Sequence, residues 1–313
     1  MNKNLSHWSN YWQGGNLTSL PQDFLENYDG EIASLWKSAF SLLSSPKSHI
    51  LDLCTGNGAI ALLAAKYSQA NQLQMDITGV DAAKISKNSI LSKYSHLEEL
   101  LQAVNFIGEC KVEDISLQSD RFDLITSQYG IEYCDWEQVA IQVCRLLKPG
   151  AHFVFISHAS STAILSTMEQ EKEDYSLLQK AGVFSALAAY LEGRSSHRDM
   201  VRKIKKAFKK VNENFAKSQS ELLAGVLGFM QKIIITDKGE LDKHKDEIRF
   251  IYQQHIFAFA RLQDVLGVSN KIKENPDWYL VFQEKGLNLV QQGEILQAGS
   301  HNAGNFYKFI KPE

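Results

Sequence analysis

Cysteine is scarce in this chain of 313 residues, and the four present, Cys54, Cys110, Cys134 and Cys144, are scattered. They lack the paired short spacing of a zinc site and the clustering of an iron–sulfur centre, so no metal site is expected and they read as reduced, mostly buried thiols. A basic excess is missing too. Against 33 Lys and Arg stand 36 Asp and Glu, a net charge of −3, which argues against a dedicated nucleic-acid binder. No segment approaches the roughly 20 apolar residues of a membrane span, and the opening MNKNLSHWSNYWQGG has no apolar signal-peptide core. These absences point to an ordinary globular protein of the cytoplasm. With 44% hydrophobic and 22% charged residues, the chain can bury one large domain, or one domain plus an elaboration. Its oligomeric state is left open, a homodimer included.

What is present centres on Ile50 to Leu63, ILDLCTGNGAIALL. An apolar run ending in Asp52 passes through Cys54, Thr55, Gly56, Asn57 and Gly58 into an Ala/Leu/Ile-rich helix. This is a strand, a glycine turn and a helix N-terminus. Glycine lets a ligand approach bare backbone, and the first helical turn offers unpaired N–H donors. Gly56-x-Gly58-x-x-Ala61 also satisfies a loose NAD or FAD pattern. Asp52 decides between them, because a carboxylate at the strand end suits a ligand ammonium better than a pyrophosphate.

The stretch resembles motif I of the class I S-adenosylmethionine-dependent methyltransferases. Further on, Gly79-Val80-Asp81 ends a second strand from Leu73, Arg121 to Thr126 begins a fourth, and LLKPG (146–150) precedes the strand Ala151 to Ser157. This order also resembles the family, strongly over residues 45 to 158. The resemblance implies an α/β Rossmann-like seven-stranded sheet, mostly parallel, closed by a C-terminal antiparallel pair at Leu287 to Leu296 and Phe306 to Lys311. It implies S-adenosyl-L-methionine as cofactor, with S-adenosyl-L-homocysteine as product. Cys54 stands where the family most often has its first glycine, a variation expected to leave the turn intact.

Candidate cofactor-binding residues are Asp52, Cys54, Thr55, Gly56, Asn57, Gly58, Asp81, Ala82, Ser127 and Gln128. Asp81 reads either as a ribose acceptor or as a helix N-cap, the first being favoured by its place after the Asp52 turn. The resemblance puts an adenine-binding acid after strand three, at Glu113 or Asp114, a stretch that otherwise reads as a solvated acidic loop. Trp8, Tyr11 and Trp12 near the N-terminus either pack a helix onto the core or, through Tyr11 and Trp12, lid the cofactor. A helix is expected from Phe24 to Leu43.

Candidate catalytic residues lie at the tips of strands four and five: Tyr129, Glu132, Tyr133 and His158. Strand C-termini are where open α/β sheets bind ligands, although a lone histidine there is also a common structural residue. About 115 residues then intervene before Asn275-Pro276, wholly helical in pattern. Segments 1–44, 45–160 with 275–313, and 161–274 are therefore read as N-terminal lid, cofactor core and inserted helical cap. Within the cap, Arg198, Arg202, Lys203, Lys205, Lys206, Lys209 and Lys210 form a basic helix, either a solvated face or a landing strip for an anionic partner such as RNA, a carrier protein or a membrane surface.

The sequence thus reads as a methyltransferase acting on an O, N or C atom of a small molecule, by in-line displacement under a cap. The loop after strand four is SQYG, unlike the Asn/Asp-Pro-Pro-Tyr of base- and glutamine-methylating enzymes. An RNA or protein methyltransferase using the basic helix stands second. A non-catalytic methyltransferase-like binding or assembly protein stands third.

Overall fold

The computed structural model describes residues 5–19, 24, 26–43, 45–159, 163–297 and 301–313. Two short helices, α1 (Ser6–Gln13) and α2 (Gly30–Phe40), precede β1 (His49–Leu53) and α3 (Ala59–Ala70). Then come β2 (Asp76–Val80), α4 (Lys87–Lys93), α5 (Glu98–Gln102), β3 (Val104–Ile107), β4 (Phe122–Gln128), α6 (Trp136–Leu146) and β5 (Leu147–Ser157). A helical stretch follows: α7 (Ala163–Ala181), α8 (Val183–Leu191), α9 (His197–Ser218), α10 (Glu221–Ile235), α11 (Lys238–Lys243) and α12 (Lys245–Glu274). The chain closes with α13 (Val281–Glu284), β6 (Asn288–Gln297) and β7 (His301–Ile310).

The sheet order is β3-β2-β1-β4-β5-β7-β6. The first five strands in this order pair in parallel, and β7 runs antiparallel to both β5 and β6. This is the expected seven-stranded architecture. Its central strands, such as Ile50-Leu51-Asp52-Leu53, are buried along their length, as parallel strands covered on both faces must be. One apolar layer packs α2, α3 and α5 on the sheet, through Trp36, Phe40, Ile60 and Leu101. The other packs α6, α13 and the end of α12, through Val139, Val143, Phe282 and Ile272. β1 lies between β2 and β4, so the chain order reverses there and opens a crevice at the strand tips.

By compactness the chain divides into 1–162 with 267–313 and a second unit, Ala163–Leu266. The second unit holds α7 to α11 and most of α12 around Tyr175, Leu187, Met200, Ile204, Leu223 and Met230. Its helices start on well-formed caps: Ser196, Ser220 and Asp237 accept backbone N–H bonds from Asp199, Leu223 and Glu240. The expected boundary at 274 marks the end of α12, whereas the compact unit ends inside that helix, at Leu266. Among the described residues no helix is long and apolar enough to cross a membrane.

Several expected elements differ in extent. The helix drawn from Phe24 to Leu43 is α2, Gly30–Phe40, after Asp29 in extended backbone; Leu25 and Ser44 lie outside the described residues. The KPG expected to precede the strand from Ala151 is a bulge inside β5: Phe122 pairs with Leu147 and Leu124 with His152, the extra residues lying opposite Asp123. Lys148 Nζ fills that bulge, 2.8 Å from both Asp123 carboxylate oxygens. The final strand begins at His301 rather than Phe306, because residues 301–305 complete the ladder with β6.

Candidate active site

Asp52 leaves β1 fully sequestered, 1% exposed, and accepts from Thr55 Oγ1 at 2.5 Å and Thr126 Oγ1 at 2.8 Å. Burial is the main cause that raises its carboxyl to about 7, against the pull of those hydroxyls. Asp52, expected to meet a ligand ammonium, braces the turn, with each oxygen engaged by a hydroxyl. Such bracing holds β1, the turn and β4 in one frame.

The turn itself carries three residues with left-handed backbone, Cys54 (φ 55°), Gly56 (φ 55°) and Gly58 (φ 89°). A glycine would be unstrained at position 54; a cysteine there costs about 1–2 kcal/mol. Gly130, just beyond β4, makes room for it. A Cβ on Gly130 would stand 2.2 Å from Cys54 Cβ, so the two positions are coupled. Cys54 Sγ faces Cys134 Sγ at 3.8 Å, and the neighbouring thiol together with burial pushes the Cys54 thiol well above its ordinary range.

Gly56 presents bare backbone to Trp12: a Cβ there would meet the indole at 2.6 Å. Asn57, expected on the ligand, is wholly buried and donates to the carbonyls of Trp12 (2.8 Å) and Asn16 (2.7 Å). It pins the N-terminal segment to the turn. α1 therefore lies over the glycine loop: Trp8 stacks on Trp12 and meets Tyr133 edge-on, and Tyr11 packs edge-on against Trp12 while donating to the Thr18 carbonyl. Gly58 opens α3.

Asp81, at the β2 tip, accepts Gly56 N and Ala83 N, each at 2.7 Å. It thus joins the turn to the segment after β2, and desolvation raises it to about 6 despite those donors. Both readings of Asp81 keep part of their geometry, since it holds backbone N–H groups yet remains, like Ala82, only half-buried. Glu113 is otherwise occupied: its carboxylate accepts Asp135 N at 3.0 Å, at the start of α6. Asp114 is exposed on the same turn.

At the β4 tip, Ser127 is fully buried with no partner for its Oγ. Gln128 Oε1 accepts from Trp36 Nε1 at 2.6 Å, leaving its buried Nε2 without a partner. Glu132 is also completely buried, with Oε1 accepting both the backbone N–H (2.9 Å) and Nδ1 (2.8 Å) of His158. Its other oxygen, Oε2, is buried and unpaired. Unsatisfied buried polar atoms cost about 1–3 kcal/mol each, and Ser127 Oγ, Gln128 Nε2 and Glu132 Oε2 fall within six residues.

His158 follows the last residue of β5, with 23% of its side chain exposed. Because the carboxylate accepts at Nδ1, the hydrogen-bond pattern places the proton there and leaves the lone pair of the neutral ring on Nε2. Tyr129 and Tyr133 flank the ring, 4.8 and 5.8 Å between centroids. Tyr129 is itself left-handed (φ 51°), and its hydroxyl donates to the Ala303 carbonyl. Burial first, then nearby Tyr28 and Glu132, pushes that phenol well above its ordinary range. Tyr129 thus packs its ring against His158 while its hydroxyl is engaged by the Ala303 carbonyl. Glu132, likewise, acts on His158 and is closed in on all sides.

Sequence reasoning missed Thr126, Gly130, Asn16 and Trp36 here. Gly130 was visible beside Tyr129, but its partner Cys54 lies 76 positions earlier in the chain. Nothing local in the sequence links Trp36 to Gln128. Among the described residues no three His, Cys, Asp or Glu side chains gather as a metal site would require.

Comparison with known proteins agrees with this geometry. A family model described as a methyltransferase domain matches residues 44–221, more than half of the chain. A ubiquinone/menaquinone biosynthesis C-methyltransferase, UbiE, of Rickettsia massiliae is 30% identical over 122 residues, 38% of this chain and 48% of that protein. A demethylmenaquinone methyltransferase of Chlamydia trachomatis is 25% identical over 119 residues, 37% and 47% of the two chains. The chain thus spans about half the length of the curated relatives it matches. Among solved structures, the geranyl diphosphate C-methyltransferase of Streptomyces coelicolor aligns at a TM-score of 0.34 and 16% identity, over 41% of this chain and 45% of that one. That likeness is too slight to bear on function.

Proposed function

The chain belongs to the class I S-adenosylmethionine-dependent methyltransferases, and from that premise we propose that it methylates a small-molecule acceptor whose proton is removed by His158. The observation that carries the proposal is the pair formed by His158 and the wholly buried Glu132, 2.8 Å apart at the tips of β4 and β5. A carboxylate that fixes the tautomer of a histidine makes a general base of it.

The residues present fit the cofactor. Gly56 lets the Trp12 ring close over the turn, Asp81 stands half-buried at the β2 tip, and Ser127 Oγ and Gln128 Nε2 are buried polar atoms in want of partners. These groups match a ligand with hydroxyls, a carboxylate and an ammonium. Bound there, S-adenosylmethionine supplies an electrophilic methyl on a sulfonium, a good leaving group. Little covalent machinery is then needed from the protein, whose task is alignment and the exclusion of water. α1 performs the second task, because Trp8 and Trp12 cover the turn between the glycine loop and Tyr133.

His158 Nε2 takes the proton from the acceptor, a hydroxyl, an ammonium or an acidified carbon, as the nucleophile forms. Glu132 stabilises the imidazolium that results, and Tyr129 and Tyr133 supply flat faces for the acceptor. Trp8 beside Tyr133 extends this aromatic wall, which favours a planar, largely apolar molecule. The second compact unit serves in this reading as the substrate domain. Four free thiols suit a reducing, cytoplasmic setting.

The reading is tested by transfer of a labelled methyl group from S-adenosylmethionine to a panel of phenolic, quinol and amine acceptors. Turnover of at least one, lost in His158→Ala and reduced in Glu132→Gln, is expected. Cofactor binding with no transfer to any acceptor would favour a non-catalytic binding protein.

A further inference from the structure

Charge is divided unevenly between the two compact units. Residues 163–266 carry 17 Lys and Arg against 14 Asp and Glu, although the whole chain is net negative. The excess is concentrated on α9. Between positions 198 and 210 seven basic residues face solvent, Arg198, Arg202, Lys203, Lys205, Lys206, Lys209 and Lys210, while Met200, Ile204, Ala207 and Val211 are buried. At about 100° per residue the seven fall within an arc of roughly 160°, and they extend about 20 Å along the axis. Only Arg202 has an ion pair among the described residues, with Asp199 at 3.0 Å. So many unpaired like charges on one face repel each other, and a polyanion relieves that repulsion.

The arc ends at a cavity of about 430 Å³ beside the N-terminus of α9, where His197, Arg198, Lys238 and Lys245 line the wall with Asp242. Lys245 is paired with Asp242 at 3.0 Å and Lys238 also acts on that carboxylate, so one acid stands against Arg198 and two lysines at the cavity wall. On either side of the cavity-lining segment, Ile235 and Phe250 are 70% and 61% exposed, the two most exposed large apolar side chains among the described residues. Cations beside exposed apolar side chains are the composition of a surface that meets a lipid headgroup layer. A single-stranded nucleic acid would call instead for aromatics interleaved with the cations, and the one aromatic within positions 198–210, Phe208, is half-buried among the apolar residues of the bundle.

We propose that the exposed face of α9, with the cavity at its N-terminal end, docks the second unit on an anionic lipid surface. The lysines meet a layer of headgroup phosphates, one phosphate enters the cavity between Arg198 and Lys238, and Ile235 and Phe250 reach the acyl boundary. Such docking suits a planar, largely apolar acceptor dissolved in a bilayer, but it does not depend on the identity of the acceptor.

The test is sedimentation of the full chain with vesicles of equal parts phosphatidylglycerol and phosphatidylcholine, beside vesicles of phosphatidylcholine alone. The protein is expected to sediment with the first, less so as salt rises, and to stay in solution with the second. Replacing Lys205, Lys206, Lys209 and Lys210 together by glutamine should lower the partition coefficient roughly a hundredfold or more, with helix content and S-adenosylhomocysteine binding unchanged. Ile235→Ser with Phe250→Ser should lower it about tenfold and leave any binding of duplex RNA as it was. Equal sedimentation with neutral vesicles, no sedimentation at low salt, or an unaltered quadruple variant would overturn the proposal. Tight RNA binding with the same lysine dependence, and none to anionic vesicles, would make α9 a nucleic-acid surface instead.

Discussion

The two compact units bury different things. The sheet-containing unit hides Asp52, Thr55, Asn57, Thr126, Ser127, Glu132 and Ser157 at or near its strand tips, and non-glycine residues there, Cys54 and Tyr129 among them, hold left-handed backbone. Within the helical unit Asp174 alone among the described polar residues is buried, against a core of Leu, Ile, Val, Met and aromatic side chains. A packed apolar core needs no further explanation, since burial itself stabilises it. Buried polar atoms and strained backbone lower stability and persist where they position something. The difference separates a unit built for chemistry from one built as a helical bundle with a charged exterior.

The comparison breaks most visibly at His158. His158→Ala should lower kcat roughly 10²–10⁴-fold in the labelled-methyl assay while the denaturation midpoint moves little, because the ring is partly exposed. A large fall in stability with turnover per folded molecule unchanged would make His158 a structural residue. Leu223→Ala, in the core of the helical unit, is the reverse case. It should cost about 2–5 kcal/mol of stability in chemical denaturation and leave the affinity for S-adenosylhomocysteine intact; a matching loss of affinity would erase the contrast.

A smaller effect sharpens the account of the turn. Gly130→Ala places a methyl against Cys54 and should cost about 1–3 kcal/mol, whereas the double variant with Cys54→Gly should recover most of that loss. Failure of Cys54→Gly to rescue would show that Gly130 is required for some other reason. The smallest expected effect is one of pH. Burial raises the Asp52 carboxyl from 3.8 to about 7, so its contribution to stability is fully present below the unfolded value and is lost as pH rises through the folded one. Denaturation curves of the wild type should therefore weaken between about pH 4 and 7, and Asp52→Asn, which keeps bonds to both hydroxyls, should flatten that slope. A slope unchanged in Asp52→Asn would assign it to another group, Asp81 being the first to examine.

How far the sequence could be read follows the same division. The helical insertion was legible because helical periodicity reports burial directly, whereas the sheet architecture came with the family resemblance and not from the pattern of apolar runs. The glycine turn was legible as a turn. The contacts of its residues were less so: nothing local in the sequence shows that Asp52 meets Thr126 or that Asn57 meets the carbonyls of Trp12 and Asn16. The pairing of Glu132 with His158 depends on β4 and β5 lying side by side, which single-sequence patterning does not specify. Boundaries such as the KPG bulge escaped for a related reason, since a bulge is defined by the partner strand.

The account stands most directly on cofactor binding by the sheet-containing unit. Calorimetric titration of the full chain with S-adenosylhomocysteine, in wild type, Asp81→Ala and the four-lysine variant of α9, measures it. Micromolar affinity is predicted for wild type and for the lysine variant, with a loss of about 1.5–3 kcal/mol in Asp81→Ala. No binding by the wild type, or equal affinity in all three proteins, would contradict the assignment of the site.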